Sequence, residues 1–337
     1  MAVAQPKQEK KIYTIDDIAR ELGISKTTVS RAISGKGRLS AETRAKVLDF
    51  IEKHNYRPNA VAKSLAQSRT NNIGLILPGE KALIDYSFFQ ECTQGICQIA
   101  SENDYDVLFI MDDDHSSAQV QRILDNRKVD GIIASRSEVN SPIISLLKDQ
   151  HLPFAIIGPP MDKDVLCVDN NNREACRDLV SLLISRGIRR MALFGGNENH
   201  YVTHSRLQGF QDACRQANLP EQLTVLNLAT GNRVAAAVEQ AVTQETECII
   251  CMDNFICNLT LLQLRAKGIS VPQDLKLACM YDSILLAHTA PPVTSLRFDS
   301  VEVGRAVCHE LLQLLNGREA NSYILPGYQL LLRDSTK

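Results

Sequence analysis

The chain has 337 residues, more than twice the length of an average domain, which predicts two or three domains and a sizeable core. Hydrophobic residues make up 44% and charged residues 23%, a composition that excludes collagen-like, mucin-like and largely disordered chains. The formal net charge of -2 conceals an asymmetry: residues 1–70 hold 14 Lys and Arg against 7 Asp and Glu, whereas the remainder holds 23 against 32. A basic head of this kind favours binding to a phosphate backbone, with a solvated charged surface as the alternative.

The chain lacks the sequence features of membrane and secreted proteins. No stretch approaches the roughly 18 uninterrupted apolar residues of a membrane span, and residues 1–11 form no apolar signal core. We therefore expect a cytoplasmic protein. Its ten Cys are scattered between Cys92 and Cys308, which favours reduced thiols that pack in the interior.

Two short patterns raise the question of a metal site. Cys248 and Cys251 have the spacing of a ligand pair, but they fall in a predicted strand, where odd spacing directs side chains to opposite faces. Three aspartates and a histidine at 112–115 follow a strand, where a solvated loop is the favoured interpretation and a cation site the alternative. We expect neither a metal ion nor a cofactor.

The basic head is predicted to contain three short helices around one small core. The first begins at Thr14 and ends at Gly23, which can adopt the left-handed conformation that turns the chain. The second and third, over residues 26–34 and 41–54, each follow a serine that can cap the helix. A helix, a glycine turn and a second helix with an exposed polar face are typical of a helix-turn-helix DNA-binding domain, here residues 1–58.

The second helix has the residue chemistry of a recognition helix, although an ordinary three-helix domain is the alternative. Lys26 and Arg31 can donate hydrogen bonds to guanine O6 and N7, and Thr27 can reach a base edge or a thymine methyl group. Hydroxyl groups nearby can bind phosphates. The predicted DNA-contacting residues of the head are Ser25, Lys26, Thr27, Thr28, Ser30, Arg31, Ser34, Arg38 and Ser40.

A short Ala-rich stretch follows the head, over residues 56–66. A helix of about two turns is unstable alone, so we expect DNA or a partner helix to order it. Residues 59–71 are thus predicted to be a hinge helix and linker.

The remainder, residues 72–337, is predicted to be a doubly wound α/β body. Apolar runs typical of buried parallel strands alternate with helical patterns. The predicted strands are 73–77, 107–111, 131–134, 154–158, 191–195, 248–252 and 275–280. The predicted helices are 88–101, 117–127, 173–186, 205–216, 235–242 and 258–267. No dinucleotide fingerprint, phosphate loop or nucleophile motif is present, so we do not expect an enzyme.

The sequence resembles the lac repressor family of bacterial transcription regulators along nearly its whole length. The motifs that carry the resemblance are TIDDIA at 14–19, GIS at 23–25, TVSR at 28–31, YRPN at 56–59, IGLI at 73–76, VDGII at 129–133, RLQGF at 206–210 and LRDS at 332–335. The resemblance implies a homodimer that binds a pseudo-palindromic operator. It also implies that the hinge helices of two subunits pair in the minor groove, where Asn59 and Ala62 lie and Leu65 wedges into a base step. The alternative for Leu65 is packing against the body.

The resemblance also implies a body of two lobes, like periplasmic sugar-binding proteins, with an effector in the cleft. The predicted lobes are residues 72–160 with 293–320, and residues 161–292 with 321–337. Asp, Asn and Arg side chains suit a hydroxylated ligand, and an aromatic ring can cover its apolar face. The implied effector residues are Tyr86, Phe88, Asp169, Asn170, Arg206, Asp253, Asn254 and Asp282.

The function predicted from these features is a DNA-binding regulator, and specifically a repressor controlled by a sugar or sugar derivative. It would be associated with the nucleoid when bound to DNA. The alternative is the same regulator gated by a partner protein or lacking a metabolite effector. It stays open because Asp253 and Asn254 stand in the reverse of the order usual in the family.

Overall fold

The structure, a computed structural model, describes residues 13–35, 37–54, 56, 69–79, 87–112, 117–159 and 164–337. It divides into two compact units, Met1–Thr70 and Asn71–Lys337. Outside the described residues lie the predictions for Asn59, Ala62, Leu65, Tyr86 and the side chain of Ser34, most of the predicted hinge helix and linker at 59–71, and the predicted loop at 112–115 beyond its first residue.

The first unit contains the three predicted helices. They are α1 (Ile15–Leu22), α2 (Lys26–Ser34) and α3 (Ala41–Lys53). One small apolar core holds them together, because each helix contributes to the same buried cluster. The buried members of that cluster are Ile18, Ala19, Val29, Ala32 and Val47.

Local capping explains where these helices begin and end. Thr14 and Asp17 form a reciprocal capping box, in which each side chain accepts a hydrogen bond from the backbone N–H of the other residue. Gly23 ends α1 with a φ of 63°, a conformation that glycine adopts without strain. Ser25 and Ser40 cap α2 and α3 as predicted.

The second unit contains two six-stranded sheets with helices on both faces. The strands are β1 (Asn72–Pro78), β2 (Asp106–Asp112), β3 (Gly131–Ala134), β4 (Phe154–Ile157), β5 (Leu166–Asn170), β6 (Met191–Phe194), β7 (Leu223–Val225), β8 (Cys248–Cys251), β9 (Lys276–Cys279), β10 (Thr294–Phe298), β11 (Tyr323–Leu325) and β12 (Tyr328–Leu331). The helices are α4 (Ser87–Glu102), α5 (Ala118–Asp125), α6 (Pro142–Asp149), α7 (Asn172–Ser185), α8 (Tyr201–Gln216), α9 (Gly231–Thr243), α10 (Asn254–Ala266), α11 (Ile284–Ala287) and α12 (Ser300–Leu315). All the apolar runs predicted as strands are strands.

Each sheet forms one lobe. The first sheet has the order β11-β5-β4-β3-β1-β2 and is parallel throughout, whereas in the second, β12-β10-β9-β8-β6-β7, only β12 is antiparallel to its neighbour. In the two sheets, β1 and β6 occupy corresponding positions, each next to an edge strand. This arrangement gives the doubly wound fold that the alternating pattern predicts.

The predicted positions of the crossings between lobes were wrong. The chain crosses after Asn170, after Phe298 and between Leu325 and Tyr328, so each predicted crossing is one strand too early. The reason is that β5, β10 and β11 lack the long apolar runs of the central strands. The strand β5 ends in Asp-Asn, and Tyr323 and Ile324 of β11 are exposed.

All ten cysteines are free thiols, nine of them buried and Cys97 half-buried, as the sequence predicted. Cys248 packs in the core on one face of the second sheet and Cys251 in the core on the other, which confirms the opposite orientation expected of them. Among the described residues, no helix is both long and apolar enough to cross a lipid bilayer.

Candidate DNA-binding face and effector cavity

The exposed face of α2 carries the side chains expected of a recognition helix. Lys26, Thr27, Ser30 and Arg31 are exposed, while Val29 between them is buried in the core of the head. The amphipathic pattern of the helix therefore fixes which side chains can reach a base edge.

Several predicted DNA contacts already have partners within the head. The Ser25 hydroxyl accepts a hydrogen bond from the Thr28 backbone N–H at 3.1 Å, and the Ser40 hydroxyl does the same for Thr43 at 3.1 Å. These hydroxyls therefore hold the helix ends in place. Lys26 forms an ion pair with Asp16 of α1.

A cavity of about 400 Å³ lies between the two sheets of the second unit. It is lined where strands of both lobes end, for instance by Ser135 after β3, Gly158 after β4, Gly196 after β6 and Asp253 after β8. The carboxyl ends of parallel strands are the usual ligand site of such sheets. Six predicted effector residues line it together: Phe88, Asp169, Asn170, Arg206, Asp253 and Asn254.

A buried polar network joins these side chains through Asn172, a residue that is not among the predicted effector contacts. The Asn172 side-chain amide donates to Asp169 Oδ1 at 3.2 Å and accepts from Arg206 Nε at 3.1 Å. Arg206 also donates from Nη1 to the Met252 carbonyl oxygen at 2.7 Å. Asn172 thus orients a lobe 1 carboxyl and a lobe 2 guanidinium at the first crossing. The run Asn170-Asn171-Asn172, which begins at the last residue of the buried strand β5, was the available signal.

Of the two carboxyls that line the cavity, Asp169 is buried and Asp253 is half-buried, and the loss of solvent changes their protonation. Burial raises the pKa of Asp169 to about 7, although hydrogen bonds from Asn170 and Asn172 and the charge of Arg206 act in the opposite direction. Burial also raises the pKa of Asp253, whose carboxylate caps α10 by accepting from the Ile256 N–H at 2.8 Å. Near neutral pH, Asp169 is therefore present in both charged and neutral forms.

Aromatic side chains line the cavity on the side where the chain crosses between the lobes, and they complement the polar groups. The Phe88 ring meets Phe89 and Tyr281 edge to face, with ring centroids 5.4 and 5.8 Å away. Phe88 packs against the cores of both lobes. The Tyr281 hydroxyl forms a hydrogen bond of 2.9 Å with the hydroxyl of Ser300 at the start of α12, which again joins the two lobes.

Asp282 does not line the cavity, unlike the other described effector candidates. Its carboxylate is buried and accepts hydrogen bonds from Arg333, Arg297 and Ser295. Burial acts to raise the pKa of Asp282, but the hydrogen bonds from these three residues outweigh it and hold the pKa below its ordinary value. The placement of Asp282 in the effector site was wrong, because its charge is already neutralised inside lobe 2.

Sequence comparisons agree with both units. A profile for bacterial regulatory proteins of the lacI family matches residues 14–59, and a profile for a periplasmic binding protein-like domain matches residues 180–336. The HTH-type transcriptional regulator MalR of Streptococcus pneumoniae serotype 4 is 28% identical over 320 residues, which cover 92% of this chain and 95% of MalR.

Structural comparisons find the same architecture. The lac repressor dimer bound to operator and the anti-inducer ONPF has a TM-score of 0.82 at 19% identity, over 97% of this chain and 99% of that one. A complex of the transcriptional regulator CelR with cellobiose has a TM-score of 0.71 at 24% identity, over 96% and 99%. At these identities the likeness establishes the fold.

The helix-turn-helix head and the two-lobed body with its cavity define a DNA-binding transcriptional regulator. The head belongs to the lacI family of bacterial regulatory proteins over residues 14–59, and the body carries a periplasmic binding protein-like domain over residues 180–336.

Proposed function

We propose that this regulator is a cytoplasmic repressor whose affinity for operator DNA is controlled by a sugar or sugar derivative bound in the cavity. The chemistry of the residues that line the cavity supports this proposal. Carboxyl, amide and guanidinium groups of Asp169, Asn170 and Arg206 suit hydroxyl groups, and the rings of Phe88 and Tyr281 suit the apolar face of a sugar ring. The volume of about 400 Å³ lies within the range of roughly 300–1,000 Å³ usual for small-molecule sites.

The relatives support the choice of ligand class. One structural relative was solved in complex with cellobiose, and its chain has the same fold as this one. A ligand held by both lobes changes the angle between them, which can alter operator affinity through a coupling free energy of about 1–3 kcal/mol.

A thermal-shift screen against sugars, sugar phosphates, sugar acids and nucleosides tests the effector. A ligand that binds the native state raises its melting temperature. We expect a saturable shift that Arg206→Ala abolishes, because Arg206 is held in the cavity by Asn172 and the Met252 carbonyl. If no ligand of the panel raises the melting temperature, gating by a partner protein would be favoured.

We propose that α2 enters the major groove of the operator and that the hinge residues Asn59, Ala62 and Leu65 contact the minor groove. Exposed Lys26 and Arg31 support the first part, and the family resemblance supports the second. Replacing Leu65 with Ala should weaken operator binding in a gel-shift titration without lowering the melting temperature. Unchanged affinity would contradict the hinge role.

We propose further that the regulator acts as a homodimer on a pseudo-palindromic operator. Large apolar side chains are exposed in both lobes: Phe109 on the edge strand β2 is 49% exposed, and Ile284 and Leu285 of α11 are 81% and 64% exposed. Such side chains favour a protein interface. Sedimentation velocity should show a dimer that Leu285→Glu dissociates, whereas Gln244→Glu, at an exposed polar position at the end of α9, should leave it intact. A wild-type monomer that stays monomeric on DNA would refute the proposal.

A further inference from the structure

Segments from the two lobes meet in a short antiparallel pairing beside the cavity. The segment after β3, residues 135–139, is called the strap. The Val139 N–H donates to the Asn199 carbonyl at 2.8 Å, and the Tyr201 N–H donates to the Ser137 carbonyl at 3.2 Å. Glu138 and His200 face each other in this pairing. The strap also forms part of the cavity wall, because its first three residues line the cavity.

Side chains reinforce the pairing across the cleft. The Glu138 carboxylate, on a residue only 8% exposed, lies 2.7 Å from Arg136 Nε and 3.4 Å from His200 Nε2. A buried carboxylate is costly unless positive or hydrogen-bonding groups surround it. Here lobe 1 supplies Arg136 and lobe 2 supplies His200, so the carboxylate is fully enclosed only while the lobes stay together.

Ser137 lies on the strap with its hydroxyl at the cavity. The residue is 3% exposed, and within the part of the chain that the structure describes its Oγ has no hydrogen-bond partner. A Cβ atom added to Gly158, another residue of the cavity wall, would lie 2.4 Å from this Oγ. A buried hydroxyl without a partner lowers stability, and a ligand in the cavity can supply the missing partner.

We propose that the strap closes over the effector, with Ser137 binding a hydroxyl group of the ligand and the Glu138–His200 pairing fastening the strap across the cleft. The inference rests on the proposed function of the cavity as the effector site. Entry of a ligand then requires the two backbone hydrogen bonds between lobes to break and re-form.

Hydrogen exchange measured by mass spectrometry on the full-length protein tests the fastening. In Glu138→Ala we expect the amides of Val139 and Tyr201 to exchange about tenfold faster, while amides of the central strand β8 keep their protection. The matched control is Glu198→Ala, which removes an exposed carboxylate from the facing loop and should change neither amide. Unchanged exchange in Glu138→Ala, or equal changes in both variants, would overturn the fastening role.

A disulfide variant provides a second test of the fastening role in case Glu138→Ala folds poorly. Glu138 and His200 form a non-hydrogen-bonded antiparallel pair, the geometry in which Cα atoms approach most closely and a disulfide fits. In Glu138→Cys/His200→Cys, the oxidised form should protect both amides more than the reduced form. A disulfide that fails to form, or that leaves exchange unchanged, would overturn the proposal.

The ligand role of Ser137 is tested first without a ligand. Ser137→Ala removes an unsatisfied hydroxyl and should raise the melting temperature by roughly 2–4 °C. The control Ser335→Ala removes a buried hydroxyl that accepts from the Thr294 N–H at 2.9 Å, and should lower it. A lower or unchanged melting temperature in Ser137→Ala would refute the inference.

Maltose and cellobiose serve as the ligand probes. A probe that shifts the wild-type melting temperature should bind Ser137→Ala about fivefold or more weakly. An unchanged affinity would overturn the contact. If neither probe nor any ligand of the effector panel shifts the melting temperature, the result would count against the proposed function. The hydrogen-exchange and melting measurements on the variants would still test whether the strap is fastened across the cleft.

Discussion

Arg333, near the carboxyl end of the chain, donates hydrogen bonds to Asp282 from both terminal nitrogens of its guanidinium group. Nη1 donates to Oδ1 at 2.6 Å and Nη2 to Oδ2 at 3.1 Å, and only 15% and 4% of the two side chains is exposed. Arg297 donates to the same carboxylate from the neighbouring strand β10. This cluster ties the last residues of the chain to lobe 2.

Breaking this pair should destabilise the body. Arg333→Met leaves a buried carboxylate with one partner fewer, so the free energy of unfolding measured in urea should fall by about 3 kcal/mol. Lys337→Met is the matched control, because its ion pair with Asp334 is exposed and should matter far less. Equal losses in the two variants would contradict the importance of burial.

Asp169 should make stability depend on pH in the neutral range. Its pKa of about 7 in the native state exceeds its ordinary value of about 4, so the native state binds the proton more tightly than the unfolded state does. The stability of the wild type should therefore fall as the pH rises from about 4 to about 7. Asp169→Asn removes this loss and should be more stable at pH 8, by up to about 4 kcal/mol, with no advantage near pH 4.

Melting temperatures of wild type and variant between pH 4 and pH 8 measure this effect. Asp104→Asn is the control, since Asp104 is exposed in a turn whose φ of 60° asparagine also tolerates. Parallel pH profiles of wild type and Asp169→Asn would show that the carboxyl stays ionised throughout.

Arg31 should read sequence as well as bind phosphate. Its exposed guanidinium lies on α2, so Arg31→Ala should cost about 1–3 kcal/mol on the best operator and relax the preference at one position of each half-site. Lys53→Ala is the control, because Lys53 pairs with Asp49 in the last turn of α3. Binding to a randomised DNA pool provides the measurement, and a uniform loss across all sequences would indicate a phosphate contact alone.

The close crossing of α4 and α12 in lobe 1 should tolerate no side chain. A Cβ atom at Gly304 would lie 2.0 Å from the Cys92 carbonyl oxygen, and one at Gly95 would lie 2.0 Å from that of Val301. Gly304→Ala should force the helices apart and lower the free energy of unfolding by about 3 kcal/mol. In contrast, Gly231→Ala, at the open start of α9, should leave it unchanged or raise it by up to about 1 kcal/mol. Similar values for both variants would mean that the helices can separate at little cost.

The sequence by itself determined the elements whose signals are local. The capping residues Thr14, Ser25 and Ser40 defined the three helices of the head, because side-chain bonds to the first turn depend only on neighbours in the chain. Central strands such as β1 and β8 were predictable, because strands buried on both faces read as apolar runs. Phe88, Asp169, Asn170, Arg206, Asp253 and Asn254, implied by the family resemblance, do come together around one cavity.

Only the tertiary structure decided which polar groups face the ligand and which face each other. Asp282 and Arg333 are far apart in sequence, and no local pattern reveals that they neutralise one another. The same holds for Asn172, which lies between Asp169 and Arg206, and for Glu138, which meets His200 across the cleft. Strands β5, β10 and β11 were assigned to the wrong lobe for a related reason: short edge and crossing strands owe their position to pairing with distant strands, and their own composition carries little of that information.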